Sequence, residues 1–166
     1  MNEVVTDAFR HSAWATRVLI DACRTLTAEQ LTRPGRAFGS VLATFDHVVS
    51  SDADYAAQLG AKLPEWARRG NASADLDQIA ARAAETASLW EQVLRSPVDA
   101  ERLLLLDSGT YEVHAGVVVA QALHHANVHR EQIRASLKEM GVPRPDLQPW
   151  AYADASGRSR WLRAEK

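Results

Sequence analysis

Apolar positions recur every three to four residues in four separate stretches of the chain, and this period predicts four amphipathic helices. Each stretch is bounded by residues that start or stop helices, so the helices should be distinct elements joined by loops. The predicted helices run from about Val4 to Leu26, from Ser40 to Gly60, from Ser73 to about Leu94, and from Gly116 to Met140. Four helices with short and medium connections predict an all-α four-helix bundle.

The predicted helix boundaries rest on capping signals. Ser40 is a natural N-cap, and the Thr-x-x-Gln sequence from Thr27 to Gln30 is typical of a capping box. Gly60 and Gly141 follow the second and fourth periodic stretches, where glycine commonly ends a helix. Pro97 prevents further extension of the third helix.

The pattern changes on either side of the fourth predicted helix. Between Leu103 and His114 an apolar run, an Asp-Ser-Gly turn signal and an alternating segment predict a short hairpin or an extended crossover. Residues 142–166 contain three prolines and no period, so we expect an irregular tail packed on the body through Trp150 and Tyr152. The whole chain, 1–166, is predicted to be one domain. The core or an interface is expected to hold four tryptophans: Trp14, Trp66, Trp90 and Trp150.

Composition excludes several classes of function. The chain has 166 residues, 46% of them hydrophobic and 24% charged, with a formal net charge of −2. This charge gives no reason to expect binding to nucleic acid or to an anionic membrane. No apolar stretch is long enough to span a bilayer, and the N-terminus does not resemble a signal peptide, so a cytoplasmic protein is expected. Cys23 is the single cysteine, which excludes an intrachain disulfide.

Three histidines lie within six residues of the fourth predicted helix, in QALHHANVHREQI. At about 100° per residue, His124 falls beside the solvated face, whereas His125 and His129 project to the apolar side with Gln132 and Ser136. Two neighbouring imidazoles are costly to bury without partners, and both could not hold a proton there. An i,i+4 pair can converge on one metal ion, which would solve both problems.

The pattern leaves the third ligand open. The candidates are His11, His47, His114 or a carboxylate. His47 shares a helix face with small and polar residues, which would leave room for a cleft, but the same composition suits a solvated face. Periodicity alone does not separate these two interpretations.

Four segments together resemble the DinB/YfiT-like family of metal-dependent helical enzymes. They are FRHSAWATRVLIDACRTLTAEQL, FGSVLATFDHVVSSDADYAAQL, HANVHREQI and PDLQPWAYA, and they cover nearly the whole chain. The third is similar to the family signature His-x-x-x-His-Arg-x-Gln, except that Glu131 replaces a common glycine. The resemblance implies that His47, His125 and His129 hold one metal ion. It also places His124 where asparagine is common, so His124 is either a surface residue or a group that supports a ligand.

Three neutral imidazoles would leave a divalent ion with its full charge and an open coordination position. Nitrogen ligands suit Zn²⁺, the first expectation, and Ni²⁺, the second. The ion would activate a bound water or a thiol. Characterised members of the family include low-molecular-weight thiol S-transferases and mycothiol-dependent maleylpyruvate isomerases. Because Cys23 falls on the core stripe of the first helix, the thiol should come from a small-molecule substrate.

The resemblance therefore implies thiol transfer or isomerisation. The alternatives are metal-dependent hydrolysis by bound hydroxide and a non-catalytic, stress-related metal-binding bundle. A homodimer is compatible with the family and with the aromatic tail. Arg130 could hold the tail through an acid such as Asp146 or bind an anionic substrate, and Asp52 could support a ligand histidine. No general base stands out; the other candidates for a supporting role are Gln132, Ser136, Asp54 and His124.

Overall fold

A computed structural model of the chain describes residues 3–35, 38–68 and 74–162. The helices are α1 (Glu3–Cys23), α2 (Ala28–Thr32), α3 (Val41–Gln58), α4 (Leu76–Val93), α5 (Ala115–Glu139) and α6 (Pro149–Ala155). Two short strands, β1 (Leu103–Leu106) and β2 (Tyr111–His114), lie between α4 and α5.

The four long helices α1, α3, α4 and α5 form the predicted bundle. α1 packs on α4 and α5, and α3 packs on the same two helices, so the order around the bundle is α1, α4, α3, α5. Each long helix places an apolar stripe in the interior, where Leu19, Phe45, Ile79 and Ile133 have no exposed surface. The all-α bundle is confirmed, and it makes α3 and α5 neighbours.

Capping side chains fix where several helices begin. The Ala43 N–H donates to Ser40 Oγ at 3.1 Å, as expected for the N-cap of α3. Thr27 and Gln30 form the predicted capping box before α2. The N-cap of α4 is Asp75, which forms a second capping box with Gln78. Ser73, where the third helix was predicted to begin, lies outside the described residues.

The predicted hairpin is confirmed. β1 and β2 pair antiparallel, with Leu103 opposite His114 and Leu106 opposite Tyr111. The chain reverses through Asp107, Ser108 and Gly109, all with positive φ. Two of these are residue types that tolerate the left-handed region, aspartate and glycine.

The C-terminal segment differs from the irregular tail that was expected, because Pro149–Ala155 is helical. Proline lies in the first turn of α6, where the absence of its N–H costs no helical hydrogen bond. Tyr152 packs beside the rings of His11 and Trp14, at centroid distances of 5.7 and 5.6 Å. Trp150 is 79% exposed, so the expectation that it anchors the tail was wrong.

Cys23 is fully buried in the core beside the other apolar residues of α1. Burial raises the pKa of its thiol to about 12, since the thiolate would lose its hydration. A thiol in this state is a poor nucleophile near neutral pH. Among the described helices, none has the length and apolar content needed to cross a membrane.

Candidate metal centre

α3 and α5 bring three histidines together inside the bundle. His47 extends from α3, and His125 and His129 extend from successive turns of α5. The Nε2 atoms of His47 and His125 are 3.0 Å apart, and one ring nitrogen of each histidine lies within 4.8 Å of the others. The three ring centroids are separated by 4.4 to 4.8 Å.

The other candidates for the third position are occupied elsewhere. His11 Nε2 is 2.8 Å from the carbonyl oxygen of Leu147, beside α6. His114 Nδ1 is 3.0 Å from the carbonyl oxygen of Glu101, at the hairpin. Among the described residues, His47, His125 and His129 are the group of histidine, cysteine and acidic side chains with the spacing of a metal site.

The geometry of this donor set fits a single divalent ion. Two imidazole nitrogens bound to one tetrahedral Zn²⁺ are about 3.3 Å apart, given Zn–N bonds of about 2.0–2.1 Å. The distance of 3.0 Å between the Nε2 atoms of His47 and His125 is close to that value. One shared proton could join these two nitrogens, but it would not involve the ring of His129, which converges on the same point. A cation at their centre serves all three.

Gln132 fixes the third ring in the orientation that a metal requires. His129 Nδ1 donates to Gln132 Oε1 at 2.8 Å, one turn further along α5. A proton on Nδ1 leaves the lone pair on Nε2, the nitrogen free to face the other rings. Such a hydrogen bond on the far nitrogen is usual for a metal-binding histidine.

Burial favours the neutral forms of His47 and His125. It lowers the pKa of His125 to about 4, and the neighbouring His129 and His47 lower it further. Burial and the charge of His129 also lower the pKa of His47, against a smaller opposing effect of Asp46. Asp46 itself accepts a hydrogen bond from Arg82 Nη1 at 2.8 Å, which partly neutralises it. Neutral imidazoles have the lone pairs that a metal needs.

Two aromatic side chains form walls of the centre. Phe38 stacks on His47 with the ring centroids 4.1 Å apart and the ring planes 20° apart. The Phe38 residue is 55% exposed to solvent. Tyr55 meets His125 nearly at a right angle, with the centroids 5.7 Å apart. His125 Nδ1 is buried without a hydrogen-bond partner in the described chain.

Sequence reasoning missed both aromatics. Tyr55 lies eight residues after His47, just over two helical turns, so the period of α3 could have indicated that it shares that face. Phe38 precedes the N-cap Ser40 and lies in a loop, where periodicity gives no indication of direction.

No hydrogen bond joins the remaining predicted side chains to the three rings in the described part of the chain. His124 and Asp54 are exposed, and the Ser136 hydroxyl donates to the carbonyl of Gln132 rather than to an imidazole. Asp52 Oδ1 is buried, but in the described part of the chain no hydrogen bond joins it to a histidine. The catalytic roles considered for these residues stay predictions.

Among the described residues, the hydrogen bonds of the Arg130 side chain go to α1 and not to the tail. This side chain is buried, and Nη1 donates to the carbonyl and hydroxyl oxygens of Ser12 and to Thr16 Oγ1, at 2.9 to 3.1 Å. The guanidinium therefore joins α5 to α1. This contact follows from its position one residue after His129, which turns it toward the α1 side of α5.

Comparison with known proteins identifies the family of the chain. No curated protein is similar enough to the chain to count as a match. The model of the DinB family, in contrast, matches residues 1–161, which include all four long helices and the three histidines. The chain therefore belongs to the DinB family.

Proposed function

We propose that the protein is an enzyme that holds a divalent metal ion with His47, His125 and His129 and activates a small thiol for S-transfer or isomerisation. The observation that carries the proposal is the convergence of three half-buried imidazoles from two helices on one point. When bound there, the ion would supply Lewis acidity that keeps a thiol deprotonated near neutral pH.

The residues around the centre support a site that is open on one side. All three candidate ligands are neutral side chains, which leaves the charge of the ion uncompensated and a coordination position for a reactant. The exposed Phe38 marks where the centre meets solvent. Gln132 holds the ring of His129, and Tyr55 packs against His125, so two ligands are positioned before a reactant arrives.

The thiol itself is proposed to come from a small molecule. Cys23 is buried in the core, and its raised pKa disfavours the thiolate. A second small molecule, an electrophile, would accept the sulfur. For the ion, we propose Zn²⁺ first and Ni²⁺ second, because imidazole nitrogen is a good ligand for both.

Elemental analysis tests the metal centre. Protein purified without a metal-affinity column should contain about one equivalent of a divalent transition metal, as expected for one such site per chain. His47→Ala, His125→Ala and His129→Ala should each lose the metal and keep the helical circular dichroism spectrum. His124→Ala is the matched control, because it removes an exposed histidine next to His125 and should retain the metal. Equal metal content in all four variants would contradict the site.

Turnover tests the thiol chemistry. The metal-loaded protein should conjugate an electrophile such as monochlorobimane only when a low-molecular-weight thiol is added, and the His125→Ala variant should not accelerate the reaction. A rate that does not depend on the thiol would exclude S-transfer. Metal-dependent hydrolysis of ester or amide substrates would then replace it.

A further inference from the structure

Two buried polar atoms in the bundle core have no hydrogen-bond partner among the described residues, although neither belongs to the metal centre. They are Oδ1 of Asp52, on α3, and Nε1 of Trp90, on α4; the Nε atoms of Arg130 and Arg134 are also buried without a partner among the described residues, but their side chains make other hydrogen bonds. A buried donor or acceptor without a partner is costly, and in folded proteins nearly all such groups are satisfied by protein or by ordered water. The two atoms therefore require an explanation.

Both side chains line one small cavity between α1, α3 and α4. Three hydroxyl groups also line it, those of Ser12, Thr16 and Thr86. The volume of the cavity, counted as the space open to the centre of a water molecule, is about 20 Å³. One water molecule needs roughly 10–15 Å³ measured in this way, so the space suits one water and is too small for an organic ligand.

The chemistry of the lining matches the hydrogen bonds of a water molecule. The Trp90 indole can only donate, and Oδ1 of Asp52 can accept whether the carboxyl group is ionised or carries its proton on Oδ2, so one water can serve both. The Thr86 hydroxyl donates to the carbonyl of Arg82 at 2.9 Å, which leaves its oxygen able to accept. A water here can make three hydrogen bonds, the usual number for a buried water.

We propose that one ordered water molecule occupies this cavity, accepting a hydrogen bond from Trp90 Nε1 and donating to Asp52 Oδ1 and to a hydroxyl of the lining. Ser12 and Thr16, which share the cavity, also accept from the buried Arg130. The water thus joins Asp52 on α3 to Trp90 on α4, beside the hydroxyls that bind Arg130 of α5 to α1. This bridge does not depend on the proposed function.

Indole N–H resonances provide the test, in the full-length protein with its metal content unchanged. The chain has five tryptophans, and the resonance of Trp90 can be assigned as the one that Trp90→Phe removes. We expect this proton to show a cross-peak to water whose sign is that of a long-lived internal water. Trp66 is the internal control, because its Nε1 donates to Glu85 Oε2 at 2.7 Å and should lack that cross-peak.

Variants of Asp52 separate the bridge from general hydration. Asp52→Leu has a similar shape but no acceptor, and it should lose the water cross-peak while the Trp90 resonance remains. Asp52→Asn keeps an acceptor and should keep the cross-peak, and it serves if the leucine variant does not fold. A wild-type protein without the cross-peak, or a crystal structure with an empty cavity, would overturn the proposal.

Discussion

Three imidazoles bind one ion only if each directs a lone pair at the same point, and the hydrogen bond on the far nitrogen of a ring controls this direction. For His129 that bond goes to Gln132. His125 has instead a buried Nδ1 without a partner among the described residues, and the ring of Tyr55 lies beside it. The orientation of the three rings therefore depends on different contacts, which single substitutions can separate.

Replacing Gln132 by methionine should weaken metal binding without removing a ligand. The methionine has a similar length but offers no carbonyl oxygen to His129 Nδ1, so the ring loses its fixed orientation. Loss of such a partner typically costs about 10–100-fold in metal affinity. Competition with a chromogenic chelator measures the change. Ser136→Ala is the control, because that hydroxyl bonds to the helix backbone. Equal affinities for the two variants would contradict the role of Gln132.

Replacing Phe38 by alanine should accelerate release of the metal several-fold, because the stacked ring covers one face of His47. The first-order rate of transfer to an excess of chelator measures this effect. Tyr111→Ala is a matched control, because Tyr111 is an aromatic residue in the hairpin with the same 55% exposure as Phe38. If both variants release metal at the wild-type rate, Phe38 does not shield the centre.

At the scale of the elements, local signals predicted most boundaries. The Thr27 and Ser40 caps and the hairpin were found because a few neighbouring residues determine them. The start of α4 was assigned to Ser73, whereas Asp75 forms the capping box that the structure shows. The helix α6 was missed because a seven-residue segment is too short to show a period. Its stability depends on the packing of Tyr152 against α1.

The Ser40 cap should contribute measurably to the stability of α3, the helix that carries His47. Ser40→Ala removes the acceptor for the Ala43 N–H and should lower the free energy of unfolding by about 1 kcal/mol. Urea denaturation of the metal-free protein measures this difference. Ser50→Ala, in the same helix, removes a hydroxyl that bonds only to helix carbonyls and should cause little loss. Losses of the same size would show that the cap has no special role.

At the scale of the whole molecule, the buried charges of Asp52 and Arg130 depend on helices that are distant in sequence. Burial lowers the pKa of Arg130, and the carboxylates of Asp52 and Glu131 oppose that change. Burial raises the pKa of Asp52 from its ordinary value of 3.8 to about 7, while Arg130 lowers it. These charges interact only after α1, α3 and α5 have assembled.

The raised pKa of Asp52 predicts a dependence of stability on pH. The folded protein retains a proton on Asp52 up to about pH 7, whereas the unfolded chain releases it near pH 4. The contribution to stability is therefore full below about pH 4 and is lost as the pH rises toward 7. Relative to Asp52→Asn, wild-type protein should become less stable between pH 5 and pH 8, by more than about 1 kcal/mol.

Urea denaturation at several pH values in this range measures the difference between wild type and Asp52→Asn. The control is Asp54→Asn, which removes an exposed carboxylate of the same helix and reports the effect of lost charge alone. A difference between wild type and Asp52→Asn that stays constant with pH would show that Asp52 is ionised throughout.

The sequence by itself determined the features that depend on residues close together in the chain. The four amphipathic periods, the caps of α2 and α3, the burial of Cys23 and the inward direction of His125 and His129 all follow from helical geometry. This geometry repeats every 3.6 residues whatever the rest of the molecule does. Family resemblance then indicated His47 as the third ligand, where periodicity had left several candidates open.

Only the tertiary structure decided which side chains meet across helices. His47 reaches His125 because α3 packs beside α5, whereas His11, on α1, contacts the segment before α6 instead. The same packing turned Arg130 toward Ser12 and placed Asp52 and Trp90 at one cavity. Each of these contacts joins residues far apart in the chain. Their distances depend on how whole helices pack, and no local period contains that information.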